Sequence, residues 1–195
     1  MPGRPSRPDS AGTISALGNN GQGVVGVAPQ GARVFMFNAF GTSDGFDASE
    51  MLTVWQSCRS HLDLLKRTVN PNMRMVVSMS VGGPPPGTSD KINYLTSEYA
   101  KGDVLYFAAA GNDNNTEPSE PALYDAVVSV AAVNSDRQRA VYSNFNNKVG
   151  LPAGGSQLAC CSGMCNMGCF SRIAATNAPS PLSLLHRLSW PRPVI

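Results

Sequence analysis

The stretch Val104-Leu-Tyr-Phe-Ala-Ala-Ala-Gly-Asn112 begins with strand-forming residues, passes through three alanines and ends in a glycine turn. Upstream, Met75-Val-Val-Ser-Met-Ser-Val-Gly-Gly-Pro84 repeats the pattern, a strand opening into glycines. Between them Ser89 can cap a helix that carries Ile92, Leu95 and Tyr99 on one face, and Gly102 stops it. Before the upstream strand, Met51, Trp55, Cys58, Leu62, Leu65 and Val69 recur at helical spacing over residues 48–69. Arg59, Asp63 and Lys66 lie on the opposite face, and Pro71 ends the pattern. Ala32-Arg-Val-Phe-Met-Phe37 reads as a buried strand ahead of that helix. Strand, helix, strand, helix, strand calls for right-handed crossovers and a parallel sheet, hence an α/β fold. Residues 126–133 and 139–145 read as two more strands joined by a polar turn at Asn134-Ser-Asp136. Residues 11–18 read as a short buried helix.

Sites in open parallel sheets form at the carboxyl ends of the strands. Ser80, Val81, Gly82 and Gly83 follow one strand directly, and Ala109, Ala110, Gly111 and Asn112 close the other. Small residues leave an open channel there, and the Asn112 amide offers a neutral N–H donor at its mouth. Acyl transfer needs such a donor, because its tetrahedral intermediate carries a new negative oxygen.

Together the two segments resemble the paired substrate-binding strands of the subtilisin-like serine proteases. Gly26-Val-Ala-Pro29 is similar to the ending that follows the family's catalytic-histidine helix, and it stands in the right order. The resemblance covers residues 11–155. It implies an α/β, three-layer, parallel-sheet subtilisin-like fold, truncated at both ends, and peptide-bond hydrolysis through an acyl-serine intermediate. By resemblance, Asn112 is the oxyanion donor, and Ser80–Gly83 and Ala109–Gly111 wall the pocket for an extended polypeptide substrate. The uncharged walls suit a large apolar or aromatic side chain.

Departures from the family are equally specific. Ala11-Gly12-Thr13 resembles the close of the motif His-Gly-Thr-His-x-Ala-Gly-Thr, which puts Ser6 and Asp9 where the two histidines belong. The family's aspartate falls before this sequence begins, and no Gly-Thr-Ser-Met-Ala-x-Pro string occurs in it. Ala175-Thr-Asn-Ala-Pro-Ser-Pro181 echoes that serine motif at Thr176 and Pro181, with Asn177 at the nucleophile's place. The alternative to an endopeptidase is therefore a non-catalytic pseudoenzyme or fragment that binds extended peptides. Residues 1–10 and 156–195 read as divergent flanks, the latter as a disordered tail.

Composition excludes other classes. Net charge +2 gives no field that would draw nucleic acid. No apolar run reaches the length of a membrane span, and the first residues have no signal-peptide core, although the family is mostly secreted. Gly21-Gln-Gly23-Val-Val-Gly26 fits the dinucleotide pattern but lacks its strand before and helix after. The same loop resembles the family's calcium loop, in which Asn20 would give a side-chain oxygen and Leu17, Gln22 and Val24 backbone carbonyls. Cys160, Cys161, Cys165 and Cys169 lack the spacing of a zinc site. His61 falls mid-helix and His186 in the tail, neither placed to take a proton from a serine. Asn114-Asn-Thr116 is a glycosylation sequon that has meaning only in a secreted chain.

Overall fold

A computed structural model of the protein describes residues 9–21, 25–30, 32–37, 50–83 and 88–155. Their elements are α1 (Asp9–Ser15), α2 (Met51–Thr68), β1 (Met75–Met79), α3 (Ser89–Lys101), β2 (Val104–Ala109), β3 (Val127–Val133) and β4 (Val149–Gly154). The sheet runs β1-β2-β3-β4, and the β1–β2 and β2–β3 pairings are parallel. Helices α2 and α3 alternate with strands as the crossover argument requires.

Two compact units divide the chain. One comprises the described residues among 9–36, Ala132–Ala140 and 152–155, the other the described residues among Phe37–Ala131 and Val141–Leu151. In the first, the chain returns to the end of α1. The N–H groups of Gly26, Val27 and Ala28 donate to the carbonyls of Ala16, Thr13 and Ile14 at 2.8, 3.0 and 2.8 Å. A Cβ on Gly26 would lie 2.4 Å from the Ala16 nitrogen, so only glycine permits this approach.

The second unit holds the main core. Helix α2 buries Met51, Trp55, Cys58 and Leu62, a single helical stripe. Trp55 is its centre: fully enclosed, stacked on Tyr94 and edge-on to Tyr106 and Tyr124, with ring centroids 6.2–6.3 Å apart. Its indole N–H donates to the Met79 sulfur at 3.1 Å, tying α2 to the end of β1. Each such side chain contributes roughly 1.5–3 kcal/mol through burial.

Helix α3 corrects the sequence reading. Gly102 ends it as expected, in the left-handed conformation at φ 68°. Yet the buried residues are Lys91, Leu95 and Glu98, while Ile92 and Tyr99 are exposed. Partners explain the inversion. Glu98 accepts from Arg59 Nε at 2.6 Å and from Lys101 at 2.6 Å. Arg59 also grips Asp103 with two N–H groups, at 2.6 and 3.0 Å, and Lys66 closes the network on Asp103.

The Arg59 guanidinium, opposed by burial and helped by Lys66, holds the Asp103 carboxyl down at about 2, below its ordinary 3.8. A depressed folded-state value means stability present above pH 3.8 and lost as pH falls through 2. The expected contribution is roughly 2 kcal/mol. Denaturant titrations of the parent and of Asp103→Asn between pH 5 and pH 2 check it: only the parent should show this acid-dependent loss.

Two other expectations differ from the structure. Residues 32–37 form no strand, and Val34, Phe35, Met36 and Phe37 are 39–55% exposed. A strand exists only through its ladder, and the four-stranded sheet does not include this segment. Residues 139–145 are also not a strand. Arg139 makes one bridge to Val133, and the backbone of residues 142–145 bonds instead to the loop at 111–115. The strand that follows β3 is β4, which contains two glycines and a proline.

Candidate active site

The register of β1 on β2 pairs Met79 with Ala108, so Ser80–Gly83 and Ala109–Asn112 leave the sheet at the same carboxyl edge. The sequence reading placed both segments there, and the structure brings them together. Ala110 continues the ladder, donating from its N–H to the Val130 carbonyl at 2.9 Å. Its own carbonyl accepts from the Ser119 hydroxyl at 3.1 Å. Gly83 pairs with Glu120 through two backbone hydrogen bonds of 3.0 and 2.9 Å. A Cβ on Gly82 would meet the Ser119 Oγ at 3.5 Å and the Glu120 carbonyl at 3.6 Å, ordinary contacts. Residues 119 and 120 therefore join the two walls.

Neither Ser119 nor Glu120 stood out in the sequence. Glu120 is 2% exposed, and its Oε1 accepts from Lys91 Nζ at 2.6 Å and from the Tyr124 hydroxyl at 2.7 Å. Burial first, then that hydrogen bond, pushes the Tyr124 phenol well above its ordinary range. A carboxylate under the wall is thus balanced by a lysine from α3 and capped by a phenol. It is a support for Gly83, not a charge offered to solvent.

Asn112 is half-buried, between Gly111 and Asp113. Gly111 adopts φ 116°, and a Cβ there would fall 2.3 Å from Asn144 Nδ2. That position is closed to every other residue on both counts. A neutral amide held at the carboxyl end of β2, beside small residues, can donate to a developing oxyanion and needs no proton transfer of its own.

Among the described residues no serine–histidine–aspartate set accompanies Asn112. Ser6 and Asn177 lie outside the described residues, as do the four clustered cysteines, and nothing is described of the Asp9 side chain. His61 lies within α2. Cys58 is free and buried, and burial pushes its thiol up, away from the reactive thiolate. Of the calcium-loop residues, Gln22 and Val24 lie outside the described residues, while Leu17 and Asn20 are exposed. Among the described residues no helix is long and apolar enough to cross a membrane.

The model of the subtilase family matches residues 9–182. The match runs beyond residue 155 into the segment that the sequence reading set apart. An extracellular basic protease of Dichelobacter nodosus is 34% identical over 149 residues, covering 76% of this chain and 24% of that protein. A subtilisin of Bacillus pumilus is 31% identical over 149 residues, 74% of this chain and 49% of its own length. Among solved structures, a psychrophilic subtilisin-like protease from the Antarctic psychrotroph Pseudoalteromonas sp. AS-11 superimposes with a TM-score of 0.59. It is 38% identical over 74% of this chain and 30% of that one. The chain thus spans less than half the length of these relatives.

Proposed function

The chain belongs to the subtilase family, and from that premise we propose that it carries the substrate-binding and oxyanion half of a serine endopeptidase. An extended polypeptide pairs as an added strand with Ser80–Gly82, while Ala109–Gly111, whose backbone is already bonded to its own neighbours, walls the pocket. Its scissile carbonyl then lies at Asn112. In the complete reaction a serine attacks that carbonyl, a histidine takes the serine proton, and the carbonyl oxygen becomes the anion that Asn112 receives. The observation that carries this reading is the convergence of Ser80–Gly83 and Ala109–Asn112 at one sheet edge, joined through Ser119 and Glu120.

The polypeptide with this sequence binds such peptides without hydrolysing them. Serine occupies the position matched to the base, and the nucleophile's motif is absent from the sequence. Removing a triad leaves about 10³–10⁴-fold over water at most. The purified chain is therefore expected to show no turnover of a chromogenic peptide and no labelling by a fluorophosphonate. Stoichiometric labelling of a serine would contradict this half of the proposal and return the chain to the active endopeptidases.

The binding half has its own test. Gly82→Val adds a branched side chain to the wall where the peptide backbone would pair, while the first carbon of that side chain meets only ordinary contacts. Fluorescence anisotropy with a labelled apolar peptide is expected to report affinity weakened by roughly tenfold or more, with the melting transition preserved. Unchanged affinity would remove this segment from the binding surface.

A further inference from the structure

Asn144 lies outside every helix and strand, is 1% exposed, and is used by nothing in the mechanism above. Its contacts converge on the loop that bears Asn112. The Asn144 backbone N–H donates to the Gly111 carbonyl at 3.0 Å. Its side-chain Oδ1 accepts from the Asp113 N–H at 2.8 Å and from the Asn115 N–H at 3.5 Å. Its Nδ2 donates to the Glu117 carbonyl at 3.4 Å. The amide orientation follows from these partners, N–H groups on one side and a carbonyl on the other. Neighbouring residues extend the seam: the Asn114 N–H donates to the Tyr142 carbonyl and the Phe145 N–H to the Asn115 carbonyl, both at 3.0 Å.

The two backbone groups that flank Asn112, the Gly111 carbonyl and the Asp113 N–H, are therefore both fixed by one residue. Gly111 sits at φ 116° with no room for a Cβ against that same side chain, so the turn and Asn144 fit each other as a pair. A donor aimed at a transition state is useful only if it does not reorganise as charge appears. We infer that Asn144 is the positioning residue of the oxyanion hole: its side-chain amide holds the 111–117 loop so that Asn112 points at the substrate carbonyl. This rests on the reading of Asn112 as the oxyanion donor.

Two ligands separate the claims on the chain as it stands. Acetyl-Ala-Ala-Ala-Phe with a free carboxylate puts an anionic oxygen where the oxyanion forms, and the same peptide with a carboxamide does not. Backbone pairing to the walls is common to both. The ratio of their affinities therefore reads the Asn112 donor, and a merely structural role of Asn144 would leave that ratio unchanged. The wild-type chain is expected to prefer the carboxylate by roughly tenfold. Asn112→Ala should abolish the preference. Asn144→Leu, similar in volume but without the acceptor, should abolish it too, while carboxamide affinity stays near the parent's. In addition, the Asp113 amide of the wild-type chain, on an exposed residue, should be protected from hydrogen exchange.

Full carboxylate preference in a folded Asn144→Leu overturns the inference and leaves the proposed function standing. Should that variant fail to fold, an unprotected Asp113 amide in the wild type overturns it alone. No carboxylate preference in the wild type removes the donor role of Asn112 and the inference with it. Failure to bind either peptide removes the proposed function as a whole.

Discussion

Asn112→Ala is expected to lower kcat by roughly 10²–10³-fold, with KM nearly unchanged, in a form of the chain restored to catalysis; the figure is the one known for subtilisin, a member of the same family. Restoration means Ser6→His and Asp9→His with the intervening motif, the family's aspartate-bearing segment, and its serine motif after Gly155. The split between kcat and KM follows from when the bond forms. A ground-state carbonyl is a weak acceptor and binds the walls through its neighbours. The tetrahedral oxyanion carries a full charge, and a donor already oriented toward it stabilises only that state. Equal kcat in the variant and its restored parent would show that the oxyanion is held elsewhere, and the assignment of the Ala109–Asn112 segment would fall with it.

Lys91→Met is expected to cost about 3–5 kcal/mol of folding stability, a large share of a typical domain's total. The pair it breaks is almost wholly enclosed: the side chains of Lys91 and Glu120 are 6% and 3% exposed. Without the ammonium, Glu120 keeps the Tyr124 hydroxyl as a partner but loses its counter-charge. The double variant Lys91→Met with Glu120→Met should recover only part of the loss: an apolar pair of similar volume carries no desolvation penalty, but the buried Tyr124 hydroxyl loses its acceptor. Equilibrium denaturation of the three proteins measures this. A loss below about 1 kcal/mol for the single variant would mean that the carboxylate reaches water or another cation. The same substitution bears on the proposed binding, since the Glu120 backbone pairs with Gly83.

The parts of this molecule legible in the sequence are those set by local physics. The apolar runs at 75–79 and 104–109 ending in small residues gave β1 and β2, and the helical stripe from Met51 to Leu62 gave α2. The convergence of Ser80–Gly83 and Ala109–Asn112 at one sheet edge was legible because strand ends in parallel sheets converge. Misreadings arose where distant partners decide. Lys91 and Glu98 turn inward against the apolar rule because Glu120 and Arg59 wait for them from elsewhere in the chain. Residues 139–145 read as a strand, yet the backbone hydrogen bonds of 142–145 go to a loop. Gly150, Pro152 and Gly154 hid β4, since these residues are poor strand formers on their own. Asn144 gave no local signal at all: its partner Asp113 is 31 residues away, and the pattern over 139–145 reads as a strand.

The most direct measurement of the central claim is a titration of the isotopically labelled 195-residue chain with acetyl-Ala-Ala-Ala-Phe, following backbone amide chemical shifts. Saturable shifts concentrated on residues 80–83, 109–113 and 119–120, with the peptide recovered intact, are the expected result. Shifts confined to other segments, or none at saturating peptide, would contradict it.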